Sequence, residues 1–231
     1  MKHLIHRNKA FTLIELLTVI AIIGILAAII IPTVGSVRTS AKKAKTKVQF
    51  SQLIQAYELF KQEYGFYPNI GERTDGKNYL NLNTLDNDDR LPTEVNPTKK
   101  LAGALTGKKP DGTALGTGDD YDGKKALCGN RKKLSFYSFA TDDLLKDDDK
   151  YYYQDAFGNT EIFIMCDANG DGIIKKADDG TPLKVKAKEG GSGSGTGKDE
   201  FILTLSDTDT IRASIIIYSA GDKGKGVKSW E

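Results

Sequence analysis

Hydrophobic positions fall into three regimes along this chain. From Phe11 to Val34 they are nearly continuous, with Glu15 the one charge and none from Leu16 to Ile31. A helix of ~20 apolar residues at about 1.5 Å per residue crosses a hydrocarbon core of about 30 Å, so this run is a transmembrane candidate. From Arg38 to Tyr64 the pattern changes to a stripe, Phe50, Leu53, Ile54, Tyr57, Phe60 and Tyr64, on a stretch without Gly or Pro. That spacing predicts an amphipathic helix continuing the first and stopped by Gly65 and Pro68. Beyond Leu134 the runs are short, β-branched and aromatic: Leu134–Ala140, Glu161–Cys166, Phe201–Leu205 and Arg212–Ser219 read as strands.

The amphipathic stripe must be buried against something, and the strands are the partner at hand. The expected fold class is α+β, a long N-terminal helix packed on an antiparallel β-sheet. The chain is divided into 1–10, a short basic leader; 11–37, the apolar helix; 38–68, its amphipathic continuation; 69–133, a loop-rich elaboration; and 134–231, the sheet region. Within 69–133, residues 83–90 and 116–123 read as loops, and a short helix is expected in 95–106 with Leu101, Ala104 and Leu105 inward. The run Gly190–Gly197 reads as a flexible loop tip between strands. Gly24 and Pro32 are potential kinks in the first helix.

Charge adds little pull toward nucleic acid, since 33 basic and 31 acidic residues leave a formal net charge of +2. The two histidines, His3 and His6, both lie in the leader. A chain lacking the leader has none, which removes Ser-His-Asp, Cys-His and His-based zinc chemistry. Cys128 and Cys166 are the two cysteines. In an oxidising compartment a bridge between them would contribute about 3–4 kcal/mol; otherwise they are two separate buried thiols.

The leader carries Lys2, Arg7 and Lys9, and its small residue, Ala10, stands before the apolar run rather than after it. A cut there removes the charged leader and leaves the apolar helix at the new N-terminus, unlike ordinary signal-peptide processing. The block Ala10-Phe11-Thr12-Leu13-Ile14-Glu15 resembles the processing site of type IV prepilins and pseudopilins, in which Gly usually stands where this chain has Ala10. The resemblance implies cleavage between Ala10 and Phe11 by prepilin peptidase, methylation of Phe11, and pairing of Glu15 with the α-amino group of a neighbouring subunit. A carboxylate inside a membrane helix costs roughly 2.5–3.5 kcal/mol, so Glu15 either reaches the headgroups or is paired. In that family, Gly and Pro at places matching Gly24 and Pro32 bound a segment that loses helical form in the filament.

Further along, Tyr153-Gln-Asp155-Ala-Phe157-Gly158-Asn159 resembles the Asp-Pro-Trp-Gly-Asn turn of the major pseudopilin of type II secretion. Tyr218-Ser-Ala-Gly221-Asp222 with the closing Ser229-Trp230 resembles that family's C-terminal block. The resemblance implies a pilin-like fold and a structural subunit, not an enzyme. It would polymerise with other pilin-like subunits on an inner-membrane assembly platform and drive secreted protein cargo outward. The implied location is the inner membrane, single-pass, with the globular part in the periplasm. Five basic residues after the span (Arg38, Lys42, Lys43, Lys45, Lys47) against three in the leader make a positive-inside count favour the reverse orientation; the processing motif is the stronger signal. That basic run reads as a solvated face or a headgroup contact, with DNA binding the minor alternative. The alternatives are a type IV pilin for adhesion, motility or DNA uptake, and a membrane-tethered calcium-dependent hydrolase.

One acidic run carries chemistry of its own. Asp167, Asn169, Asp171, the Ile173 carbonyl and Asp178 fall at positions one, three, five, seven and twelve of a calcium loop, with Gly172 at six. Asp, Asn and Gly also serve ordinary turns. The major pseudopilins bind calcium through an acidic C-terminal loop, whereas here Gly224–Lys228 supplies no acid and leaves Asp222 alone.

Overall fold

In the computed structural model the described residues are 12–68, 79–81, 97–115, 129–147, 150–167, 170–175, 184–186, 200–202, 210–222 and 225–230. Two units divide the chain, Met1–Ala41 and Lys42–Glu231. Helix α1, Leu13–Tyr64, begins in the first and ends in the second, unbroken at Gly24 and Pro32.

In the first unit the large apolar side chains of α1, from Leu13, Ile14 and Leu16 through Ile29, Ile30, Ile31 and Val37, are all exposed. They occur on every side of the helix, the pattern of a helix meant for lipid or for protein partners all round. Its apolar run is long enough to cross a membrane.

In the second unit α1 buries one stripe: Thr46, Gln49, Phe50, Leu53, Ala56, Tyr57 and Phe60. The expected positions are there, with Ile54 and Tyr64 half-buried at its edge. Gly65, at φ +80°, ends the helix with its N–H on the Lys61 carbonyl at 2.7 Å, a left-handed C-cap. Helix α2, Pro97–Thr106, is the short helix expected within 95–106, and it buries Leu101, Ala104 and Leu105. Pro97 opens it where no backbone donor is needed.

The main sheet is antiparallel in the order β1-β4-β9-β10, with β1 Tyr79–Asn81, β4 Ile162–Cys166, β9 Ile215–Ser219 and β10 Val227–Lys228. Ile164 faces Ile217 and Phe163 faces Tyr218 across β4 and β9. The period of two therefore sends Ile162, Ile164, Ile215 and Ile217 into the core shared with α1 and α2. Phe163, Met165, Ile216 and Tyr218 go to the opposite face, covered by Ile174, Ile211 and Trp230. Both central strands are buried on both faces, which is why they read as continuous apolar runs. Among the described residues there are also three two-stranded pairs: β2 Leu144–Asp147 with β3 Lys150–Tyr153, β5 Ile174–Lys175 with β8 Thr210–Ile211, and β6 Lys184–Lys186 with β7 Glu200–Ile202.

One expected strand is absent. Residues 134–140 form no strand. The N–H groups of Phe136 and Tyr137 both donate to the Leu105 carbonyl at the end of α2, and Leu134 is bracketed by the Asn130 side chain. With those groups engaged by a helix terminus and a side chain, no ladder forms. The β-branched and aromatic composition is used for packing instead, with Phe136 stacked edge-on to Phe60 at 5.6 Å. The β2–β3 hairpin lies outside the runs that read as strands, and its Lys and Asp residues are of a kind common in loops. The loops 83–90 and 116–123, the Gly190–Gly197 tip and most of Phe201–Leu205 lie outside the described residues.

Candidate assembly and membrane-anchoring site

Thr12 and Glu15 form a capping box at the start of α1. The Thr12 N–H and hydroxyl both donate to Glu15 Oε2, at 2.8 and 2.7 Å, and the Glu15 N–H donates to Thr12 Oγ1 at 3.3 Å. This reciprocal arrangement satisfies donors that a helix N-terminus leaves orphaned. The signal for it, Thr-x-x-Glu before an apolar run, is present in the sequence. The geometry holds the carboxylate against the backbone of residue 12, one residue from Phe11. The cleavage and methylation residues Ala10 and Phe11 lie outside the described residues.

Polar groups within the apolar run are satisfied locally. Thr18, Thr33 and Ser36 each donate a hydroxyl to the carbonyl three residues before, at 3.0, 2.8 and 2.9 Å. Such bonds reduce the cost of placing hydroxyls in hydrocarbon, where no water substitutes.

The two stretches that resemble the pseudopilin pattern meet in one network. Asp155, 3% exposed, accepts the Phe157 and Asn159 N–H groups on Oδ1 at 2.8 and 2.9 Å. Its Oδ2 accepts the Asn159 amide at 2.8 Å and the Ser219 hydroxyl at 2.7 Å. Asn159 Nδ2 also reaches the Gly221 carbonyl at 2.9 Å, and Gly158, at φ +87°, allows the turn. Burial pushes the Asp155 carboxyl above its ordinary value, against the hydrogen bonds from Ser219, Asn159 and Phe157. At the C-terminus the Ile217 N–H donates to Ser229 Oγ, the Ser229 N–H to the Ile217 carbonyl, and Trp230 packs edge-on against Tyr218. The turn and the closing block thus fix the end of β9 and hold the sheet on which α1 lies.

In the acidic loop, Asp167 accepts the Gly170 and Gly172 N–H groups, one on each carboxylate oxygen, both at 2.7 Å. Asp171 accepts the Ile173 N–H at 2.8 Å and the Lys175 ammonium at 2.9 Å. Gly170 and Gly172 both have φ +78°. Both carboxylates are thus engaged by backbone N–H groups, and Asp171 also by the Lys175 ammonium. Asn169 and Asp178 lie outside the described residues, and no cluster of three or more His, Cys, Asp or Glu side chains occurs among the described ones. Cys166 is buried at the end of β4. Cys128, and with it the Cys128–Cys166 bridge, lies outside the described residues.

The family model described as the prokaryotic N-terminal methylation motif matches residues 5–31. Over 77 residues the chain is 42% identical to the type IV major pilin protein PilA of Myxococcus xanthus (strain DK1622), covering 29% of this chain and 35% of that protein. Over 130 residues it is 28% identical to the type II secretion system core protein G of Escherichia coli (strain K12), covering 49% of this chain and 89% of that protein. The chain thus spans about a third of the first relative's length and most of the second's. No solved structure matches.

Proposed function

We propose that this chain, a member of the type IV pilin and pseudopilin family, is a structural subunit of a type II secretion pseudopilus. Prepilin peptidase removes residues 1–10 and Phe11 is methylated. The product waits in the inner membrane as a single-pass protein with its globular unit in the periplasm. It then polymerises with other pilin-like subunits on the assembly platform and moves secreted cargo. The observation that carries the structural role is the division of α1: apolar side chains exposed on every side before Ala41, and a single buried stripe after Lys45. A helix so built has one half free for lipid or for like helices and one half fixed to its own sheet.

The secretion reading is supported by the Asp155 turn and the Ser229-Trp230 closure, and by similarity along most of the length of a secretion core protein. A surface pilus is the second reading, favoured by the higher identity over a shorter stretch to a major pilin. A calcium-dependent hydrolase is disfavoured because both histidines lie in the leader. Calcium in the loop at Asp167 is part of the proposal, supported by the register of Asp167, Asn169, Asp171, Ile173 and Asp178 and by an oxygen-only donor set.

Deletion of the gene separates the readings, since loss of protein export with surface motility intact supports secretion, and the converse supports a pilus. Intact mass of the membrane-extracted protein tests processing. A chain beginning at Met1, or one beginning at Phe11 without an added methyl group, would count against it.

A further inference from the structure

The basic run that follows the apolar half of α1 is not used by anything described so far. No Asp or Glu occurs between Glu15 and Glu58, while Arg38, Lys42, Lys43, Lys45 and Lys47 fall within that interval. Lys42, Lys43 and Lys45 are exposed, and Thr46 is the first buried residue of α1 among those described. The lysines therefore stand just before the place where the helix first buries a side chain.

Among the described residues, little neutralises Lys42, Lys43 and Lys45. Lys45 approaches Asp142 at 3.8 Å with both side chains largely exposed, a pairing that contributes little. Lys42 lies 5.8 Å from the ring centroid of the half-buried Phe157, whose turn is tied to α1 by the Ala156 N–H on Thr46 Oγ1 at 3.1 Å. An aromatic ring beside lysines at the start of the covered segment suits the boundary between hydrocarbon and headgroups.

Distance along the helix agrees. The uncharged run from Leu16 to Val37 is about 33 Å long at ~1.5 Å per residue, enough for a hydrocarbon core of about 30 Å. Lys42 follows Val37 by about 8 Å within α1, and the headgroup layer extends about 5–7 Å beyond the core on each side. A lysine arm covers the remainder.

We propose that Lys42, Lys43 and Lys45 dock the start of the second unit onto anionic phospholipid headgroups, so that the unassembled subunit favours an anionic bilayer. The inference rests on reading α1 as a membrane span. Docking of this kind is a screened, charge-dependent attraction, and subunits leaving the bilayer for a filament would have to give it up.

The test uses the full chain in lipid nanodiscs, one set of pure phosphatidylcholine and one with phosphatidylglycerol added. Acylation of lysines by a water-soluble ester is read residue by residue by mass spectrometry. Lys42, Lys43 and Lys45 should react at least about threefold more slowly in the anionic discs. The difference should vanish at high salt, and the exposed Lys108, outside the basic run, should react equally in both. The Lys42→Gln, Lys43→Gln, Lys45→Gln triple variant should enter both discs and lose the preference for phosphatidylglycerol among lipids that copurify in detergent. Equal acylation in both discs, or a variant that keeps the preference, overturns this inference while leaving the span intact. A chain that enters neither disc overturns the span itself, and the inference with it.

Discussion

Asp155→Ala tests whether the Asp155 turn and the C-terminal block form one structural unit. Removing the carboxylate strips an acceptor from two backbone N–H groups, one side-chain amide hydrogen and the Ser219 hydroxyl. An unsatisfied buried donor costs about 1–3 kcal/mol. The Ser219 hydroxyl can rotate and water can reach the half-buried Phe157, so the total expected is about 3–5 kcal/mol, as for breaking other buried charged networks. That is a large part of the ~5–15 kcal/mol that holds a domain folded. Ser219→Ala removes one bond to the carboxylate and should cost about 1.5–2 kcal/mol. In the Asp155→Ala background the same change should cost almost nothing, giving a coupling of about 1.5–2 kcal/mol. The assay is urea unfolding of the detergent-solubilised chain followed by its one tryptophan, Trp230, which packs 6.4 Å from Tyr218, the residue before Ser219. A loss below about 1 kcal/mol for Asp155→Ala, or full additivity of the two changes, would refute the shared network.

Burial holds the folded Asp155 carboxyl above the reference value of 3.8, so the folded state binds this proton more tightly than the unfolded one. The stability gap between wild type and Asp155→Asn should therefore widen as pH falls from neutrality toward that reference; urea midpoints at neutral and mildly acid pH check it, and a narrowing gap would mean that the hydrogen bonds outweigh burial. Gly107→Ala, at φ +66° with the Lys133 carbonyl oxygen 2.6 Å from the new Cβ, should lose more than about 2 kcal/mol; Gly65→Ala, at φ +80° with nothing within 4 Å, should lose about 1 kcal/mol, as thermal melts of the pair will show. Glu15→Gln preserves the capping box but removes the charge, so it should keep the helix start and lose crosslinked multimers; multimers at the wild-type level would reduce Glu15 to a cap. If calcium occupies the loop at Asp167, the chain should melt higher with calcium than with chelator, and Asp171→Ala should abolish the difference while Asp222→Ala keeps it. An equal calcium shift in both variants would leave that loop a turn.

Periodicity and length alone were enough to define α1, its switch from all-round apolar to striped, and the two central strands, because each is set by local residue spacing against one environment. The Leu101–Leu105 face of α2 was legible for the same reason. What tertiary structure decided was which extended segments pair. Residues 134–140 have the composition of a strand, yet the Phe136 and Tyr137 N–H groups are taken by the end of α2 and that of Leu134 by the Asn130 side chain, which no local pattern announces. The charged hairpin β2–β3 buries Tyr152 and Tyr153, with Tyr153 packed on Phe139 and its N–H donating to the Thr98 hydroxyl of α2, a packing gain that its Lys and Asp residues conceal. Asp155 and Ser219, 64 residues apart, each lie in a recognisable turn or strand end, but that one carboxylate serves both follows only from the fold that brings them together. Burial makes the difference: a carboxylate in water needs no partner, whereas one enclosed by its own turn and the end of β9 must find its hydrogen bonds within the protein.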